Sequence, residues 1–184
     1  MEQLNPRSRS DAFGSKLDRA PSQTLAIAVP WATILIGSLA PFLPVISPAP
    51  ILPPLGFLFM IAWRLMRPGL LPLWAGLPLG LFDDLFSGQP FGSATLLFSL
   101  ALIAIDLIEA RFPWRNFWQD WLTASVLTLV YLSIAALVSG AKLTLVQLQV
   151  IGPQLLLSII VFPIIARMAA LLDRLRLMRV RRLG

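Results

Sequence analysis

The sequence predicts an all-α integral membrane protein with six transmembrane helices, and three observations carry that prediction. Of its 184 residues, 57% are hydrophobic and only 13% are charged, about half the charged share of a soluble domain. Fifteen basic and nine acidic side chains cannot cover so much apolar surface in water. The charges also cluster: residues 20–63, 68–82, 85–105, 121–141 and 143–166 carry none. Finally, a helix needs about 20 apolar residues to cross the hydrocarbon of a bilayer, and four of these five runs offer that length.

The first run can hold two crossings because Pro48, Pro50, Pro53 and Pro54 break any helix through its middle. The first helix is expected at 25–43 and the second at 54–66. The second is short, about 19 Å at 1.5 Å per residue, so it must tilt little or sit where the bilayer thins. The third is expected at 70–86. Merging it with the second would bury Arg64 and Arg67 at mid-membrane, which costs several kcal/mol. The fourth, fifth and sixth are expected at 92–108, 120–138 and 151–172. Residues 1–22 read as a disordered tail, 23–172 as the transmembrane domain and 173–184 as a basic tail. Ser38-Leu39-Ala40 has the form of a signal-peptidase site. The preceding tail holds three acids and the run contains Pro30 and Pro41, so a retained first helix is expected.

Orientation follows from the basic residues. With six crossings both ends share one side. That side receives Arg7, Arg9, Lys16, Arg19, Arg64, Arg67, Arg111, Arg115, Arg167 and the five arginines after it, fourteen of fifteen; only Lys142 falls opposite. Both termini are therefore expected in the cytoplasm. Trp31, Trp63, Trp74, Trp114, Trp118 and Trp121 fall in the same half. Two readings of that bias stand: chance among six residues, or an amphipathic segment over 112–121 in the inner headgroup layer.

The absence of cysteine and histidine excludes disulfides, thiolate chemistry, Ser-His and Cys-His triads and zinc sites built on those side chains. No enzyme activity, cofactor or metal is expected. Asp83 and Asp84 near the outer end of the third helix are the first functional candidates, since an acid in a spanning segment is a functional hypothesis by default. Helix neighbours point about 100° apart, so the two cannot face one cavity. Gly76, Gly80 and Asp84 lie on one stripe, and Gly88 and Gly92 continue the four-residue spacing. Small residues so spaced let a neighbouring backbone approach closely; Asp84 would point into that contact and Asp83 toward the interface or a partner. The competing reading is a solvated cap on the turn that follows. An Asp-Asp-x-x-Asp metal-diphosphate site fails, because Ser87 stands at its fifth position.

Asp106 and Glu109 share a face at the inner end of the fourth helix, where acids oppose the helix dipole. Pairing with Arg64, Arg67, Arg111 or Arg115 would offset that and lock the inner ends of helices two, three and four. The basic tail, with Arg174, Arg176 and Arg179 between Leu172, Leu175 and Met178, suits anionic lipid or a cytoplasmic protein; nucleic acid is not an expected partner.

The stretch from Gly80 through Asp84 and Gly88 to Gly92 resembles the rod shape-determining protein MreD family, which has a Gly-x-x-x-Asp-x-x-x-Gly-x-x-x-Gly signature between two hydrophobic segments. Pro53-Pro54 before the second helix, Trp63 near its inner end and the aromatic, basic loop after the fourth helix are similar as well. The match covers about 53–131. Leu52 departs from it, since a basic residue often precedes the proline, and so does Asp83, which leaves open which aspartate holds the family role. The resemblance implies a non-catalytic inner-membrane component of the bacterial elongation complex, which regulates cell shape and peptidoglycan synthesis. It would work with the bitopic protein MreC, the MreB filament and the RodA–penicillin-binding-protein synthase. The implied fold is similar to the six-helix substrate-binding component of energy-coupling-factor vitamin transporters, and transport of a small molecule is the alternative function. The elements expected to matter are Gly80, Asp83, Asp84, Gly88 and Gly92 outside, and a basic inner face of Arg64, Arg67, Arg111, Arg115, Arg174, Arg176 and Arg179.

A chain without cysteine reports its own topology through single substitutions. Lys142→Cys should react with an impermeant maleimide on intact spheroplasts, and Arg111→Cys only after permeabilisation. The opposite pattern contradicts the orientation.

Overall fold

The computed structural model describes residues 23–42, 52–112, 116–140 and 145–176. Pro48, Pro50, Trp114, Arg115, Lys142, Met178 and Arg179 lie outside them. The described residues form six α-helices: α1 (Gln23–Ser38), α2 (Leu55–Met66), α3 (Gly76–Phe86), α4 (Ser93–Arg111), α5 (Phe117–Val138) and α6 (Leu145–Arg176). Short 3-10 turns stand at Ala40–Phe42 and Leu73–Ala75. Three helices are long and apolar enough to cross a membrane: α4, α5 and the Ile151–Arg176 part of α6. α1 and α2 are apolar but shorter.

The starts of α3, α5 and α6 move by three residues or more from expectation, the first two for a local reason. α3 begins at Gly76 rather than 70, because Pro72 is extended (ψ 155°) and disfavours helix in the residue before it. α5 begins at Phe117 rather than 120. Asn116 and Gln119 form a reciprocal capping box there, with Gln119 N–H donating to Asn116 Oδ1 at 3.1 Å and Asn116 N–H to Gln119 Oε1 at 3.3 Å; this pair satisfies two donors at the helix entrance. α6 runs beyond 151–172 at both ends, through Pro153 and Pro163.

α2 is the centre. Ten of its twelve residues, Gly56 to Leu65, are buried, and α1, α4, α5 and α6 all pack on it. A ring cluster ties three helices together: Phe57 stacks on Tyr131 at 4.2 Å, and Phe98 meets Phe57 edge-on at 5.4 Å. In lipid such contacts gain little from leaving water, because the surroundings are as apolar as the interior. Dispersion and close packing do the holding. Glycine provides the closeness. A Cβ at Gly80 would lie 2.5 Å from Thr95 Cα, and one at Gly76 2.7 Å from Ser99 Cα, so α3 and α4 touch backbone to backbone.

Two prolines inside helices are put to use. A proline lacks the N–H that would bond the carbonyl four residues back. Pro30 thereby frees Ala26 O, which accepts from Arg176 Nη1 at 2.8 Å. Pro163 frees Ile159 O, which accepts from Trp121 Nε1 at 3.0 Å. Each break in a helix becomes a bond between helices, α1 to α6 and α6 to α5.

That pairing predicts coupling. Trp121→Phe should destabilise the wild-type chain, yet cost less in a Pro163→Ala background, where the restored backbone N–H reclaims Ile159 O. A thermal-unfolding double-mutant cycle in detergent should give a coupling of about 0.6–1.7 kcal/mol, the range for hydrogen bonds between membrane helices. Additive effects contradict the assignment.

Candidate functional site

The first site is built on the α3–α4 turn. The first four N–H groups of a helix have no partner within it, and for α4 each one is accounted for. Asp84 Oδ2 accepts from Gly92 N–H at 3.0 Å, Thr95 N–H at 3.0 Å and Thr95 Oγ1 at 2.7 Å. Its Oδ1 accepts from Ala94 N–H at 2.8 Å. Ser93 N–H donates to Pro90 O at 3.0 Å, and the ordinary helical pattern begins with Leu96 N–H to Gly92 O at 3.0 Å. Asp84 is thus a cap supplied to α4 by α3, with its negative charge at the positive end of the helix dipole. It is 6% exposed, so it is a buried cap and not a solvated one.

The motif glycines divide by role. Gly80 gives close approach, as described. Gly88 (φ 67°) and Gly92 (φ 92°) have open space where a Cβ would stand; they serve the left-handed backbone of the turn, where other residues are strained. Their four-residue spacing from Gly80 therefore does not continue a contact surface.

Asp83 points elsewhere. It is buried, 7% exposed, and turns inward rather than toward the molecular edge. Around it stand Ser38 of α1 and Tyr131 of α5, and its Oδ1 lies 3.2 Å from where a Gly56 Cβ would be. The Ser38 hydroxyl forms no well-aligned hydrogen bond, while Gln89 Nε2 donates to Tyr131 Oη at 3.3 Å. The two neighbouring acids thus serve two junctions: Asp84 joins α3 to α4, and Asp83 faces α1, α2 and α5.

At the other end the expected basic face separates into internal and exposed arginines. Buried Arg64 pairs through Nη2 with Asp106 at 2.5 Å and Glu109 at 3.2 Å, joining α2 to α4. Arg67 reaches Asp173 at 2.7 Å and Arg176 reaches the same acid at 2.6 Å. Arg176 also lies over the Trp63 ring at 5.7 Å, and Trp63 Nε1 donates to Thr33 Oγ1 at 2.9 Å. The network ties α1, α2 and α6. The expected pairing of Asp106 and Glu109 falls to Arg64 and joins α2 to α4, without α3. Of these pairs, only Arg176–Asp173 is buried on both sides, and breaking such a pair costs about 3–5 kcal/mol, mostly by stranding the partner charge. Arg111 and Arg174 are exposed. Sequence reasoning missed the Asp173 network and put Arg176 on a lipid-facing stripe. Two signals for it existed: Asp173 is the single acid of the tail region, and Pro30 frees a carbonyl.

The described residues define a helical membrane protein whose charged groups mostly fasten helices to one another. The chain belongs to the rod shape-determining protein MreD family, whose model matches residues 23–174. No curated protein and no solved structure matches it. Membership gives it a role in rod-shape determination, in association with the rod-shape complex, within a family of structural proteins.

Asp84→Ala should leave the N–H groups of Gly92, Ala94 and Thr95 without their acceptor, the buried one at Ala94 costing about 1–3 kcal/mol, and lower the unfolding temperature in detergent markedly. Asp84→Asn keeps one acceptor and should fall between. Equal stability of Asp84→Ala and wild type contradicts the cap.

Proposed function

We propose that this chain is a non-catalytic scaffold of the cell-wall elongation complex. It would cross the inner membrane six times with both termini in the cytoplasm and hold an MreC-like bitopic protein and the RodA–penicillin-binding-protein synthase in place. The expected tails of 1–22 and 173–184 would flank a transmembrane domain of 23–172, with Asp173 and Arg176 at the start of the second tail packed onto the bundle as the end of α6. The observation that carries the reading is the Asp84 cap. A carboxylate that takes up nearly every free donor of a turn makes that turn a rigid platform, which a scaffold needs and a moving gate does not.

The platform has a face to offer. Phe91 at its tip is 72% exposed, and Leu85 and Leu81 on α3 are 62% and 43% exposed. In this reading Gly80, Asp83, Asp84, Gly88 and Gly92 shape the outer contact without touching the partner themselves. On the inner side, Arg64, Arg67 and Arg176 hold the bundle. Arg111 and Arg174, exposed on their helices, together with Arg115 and Arg179 of the expected basic face, would meet anionic lipid or an MreB-like filament. α1, α2 and α3 are shorter than a bilayer core of about 30 Å. Irregular backbone at membrane depth is tolerated where protein covers it, and the burial of α2 supports six crossings on that ground. A vitamin-transport role gains no such support: the cavity between α4 and α5 is lined by apolar side chains and Tyr131.

Co-purification tests the scaffold. Phe91→Ala removes an exposed ring, so it should unfold at the wild-type temperature while recovering less tagged MreC from membranes and rounding the cells. Asp84→Ala should lose both stability and MreC. Normal MreC recovery and rod shape with both variants overturn the proposal.

A further inference from the structure

We propose that the cleft between α4 and α5 is a binding site for one phospholipid, with an acyl chain lying in the cleft and the phosphate at Arg111. The cleft is a cavity of about 100 Å³ whose walls include Leu97, Ala101 and Ala104 of α4, and Leu127 and Tyr131 of α5, with Phe57 of α2 among its lining. Ala101 and Ala104 are the small residues that open it. The cleft runs along about 10 Å of helix between Leu97 and Ala104 and is open on its lipid side, so it seats one hydrocarbon chain partly recessed into the wall. A second helix, 10–12 Å across with its side chains, does not fit. The lips are apolar and open to lipid, with Leu100 49% and Val130 45% exposed, so a hydrocarbon chain enters sideways from the bilayer.

Charge selects the headgroup. The wall residues Leu97, Ala101 and Ala104 continue at helical spacing to Ile108 and Arg111, so the exposed guanidinium of Arg111 stands on the same face of α4 as the cleft. Asp106 and Glu109 lie across the helix, where they pair with Arg64. From Arg111 to Ala104 is about 10 Å and to Leu97 about 21 Å along the axis, which brackets the midplane of a core about 30 Å thick. A phosphate at Arg111 therefore puts the far half of its own acyl chain in the cleft. The inference rests on the proposed orientation only in assigning the lipid to the inner leaflet, and cysteine labelling tests that separately.

The test is native mass spectrometry of the detergent-purified chain incubated with dioleoylphosphatidylglycerol. Wild type should keep one lipid under activation that strips the others. Ala104→Phe, which fills the cleft, should abolish that retained lipid. Arg111→Gln, an exposed change that spares the fold, should weaken its retention about fivefold, the share of one arginine near an anionic surface. Ile103→Phe, on an exposed part of α4 outside the cleft, should change nothing. No retained lipid in wild type, or equal retention in Arg111→Gln, overturns the proposal. So does a photo-crosslinker at Leu100 that captures a polypeptide, a second copy included, instead of lipid in whole membranes.

Discussion

A bilayer has no water to hydrogen-bond a stray backbone group, and the whole structure is arranged around that constraint. The start of α4 shows it most fully, because a carboxylate on α3 takes three of its four free N–H groups and a turn carbonyl takes the fourth. The prolines show its mirror image. Ala26 O and Ile159 O lose their helical donors and receive Arg176 and Trp121 instead. In each case a local deficit is met from another helix, so satisfying the backbone and assembling the bundle are one process.

Such satisfaction also explains the allocation of charge. A chain this poor in ionic groups uses many of the described ones to join helices. Asp84 fixes the α3–α4 turn, Arg64 holds α4 through two acids, and Asp173 gathers Arg67 and Arg176 between α2 and α6. The two ends of the bundle are thereby fastened by different means: a cap at the end where the dipole of α4 begins, and ion pairs at the opposite end, where α4 finishes. Between them the first half of α2 contributes shape, through Phe57 and a glycine that lets Ser38 approach. A molecule so fastened suits the scaffold role proposed above.

Much of this was legible beforehand, and the reasons differ by feature. Runs without charge locate helices because the cost of burying an ion is large. Spacing by four puts Gly76, Gly80 and Asp84 on one stripe, but spacing cannot say what the stripe meets; that needed Ser99, Thr95 and the start of α4. Gly88 and Gly92 look like more of the same stripe and are not, since a turn resets the helical phase between them. The Asn116–Gln119 box was readable and would have corrected the start of α5. The partnership of Arg67 with Asp173 was not readable, because 106 residues separate them and only the folded bundle brings α2 and α6 together.

The central claim is that Asp84 satisfies the first turn of α4 within the membrane. Amide hydrogen–deuterium exchange, resolved by residue in lipid nanodiscs, measures it directly. The account predicts that Gly92, Ala94 and Thr95 exchange as slowly as the middle of α4 in wild type, and that their protection falls selectively in Asp84→Ala. Rapid exchange at those three amides in the wild-type chain would contradict it.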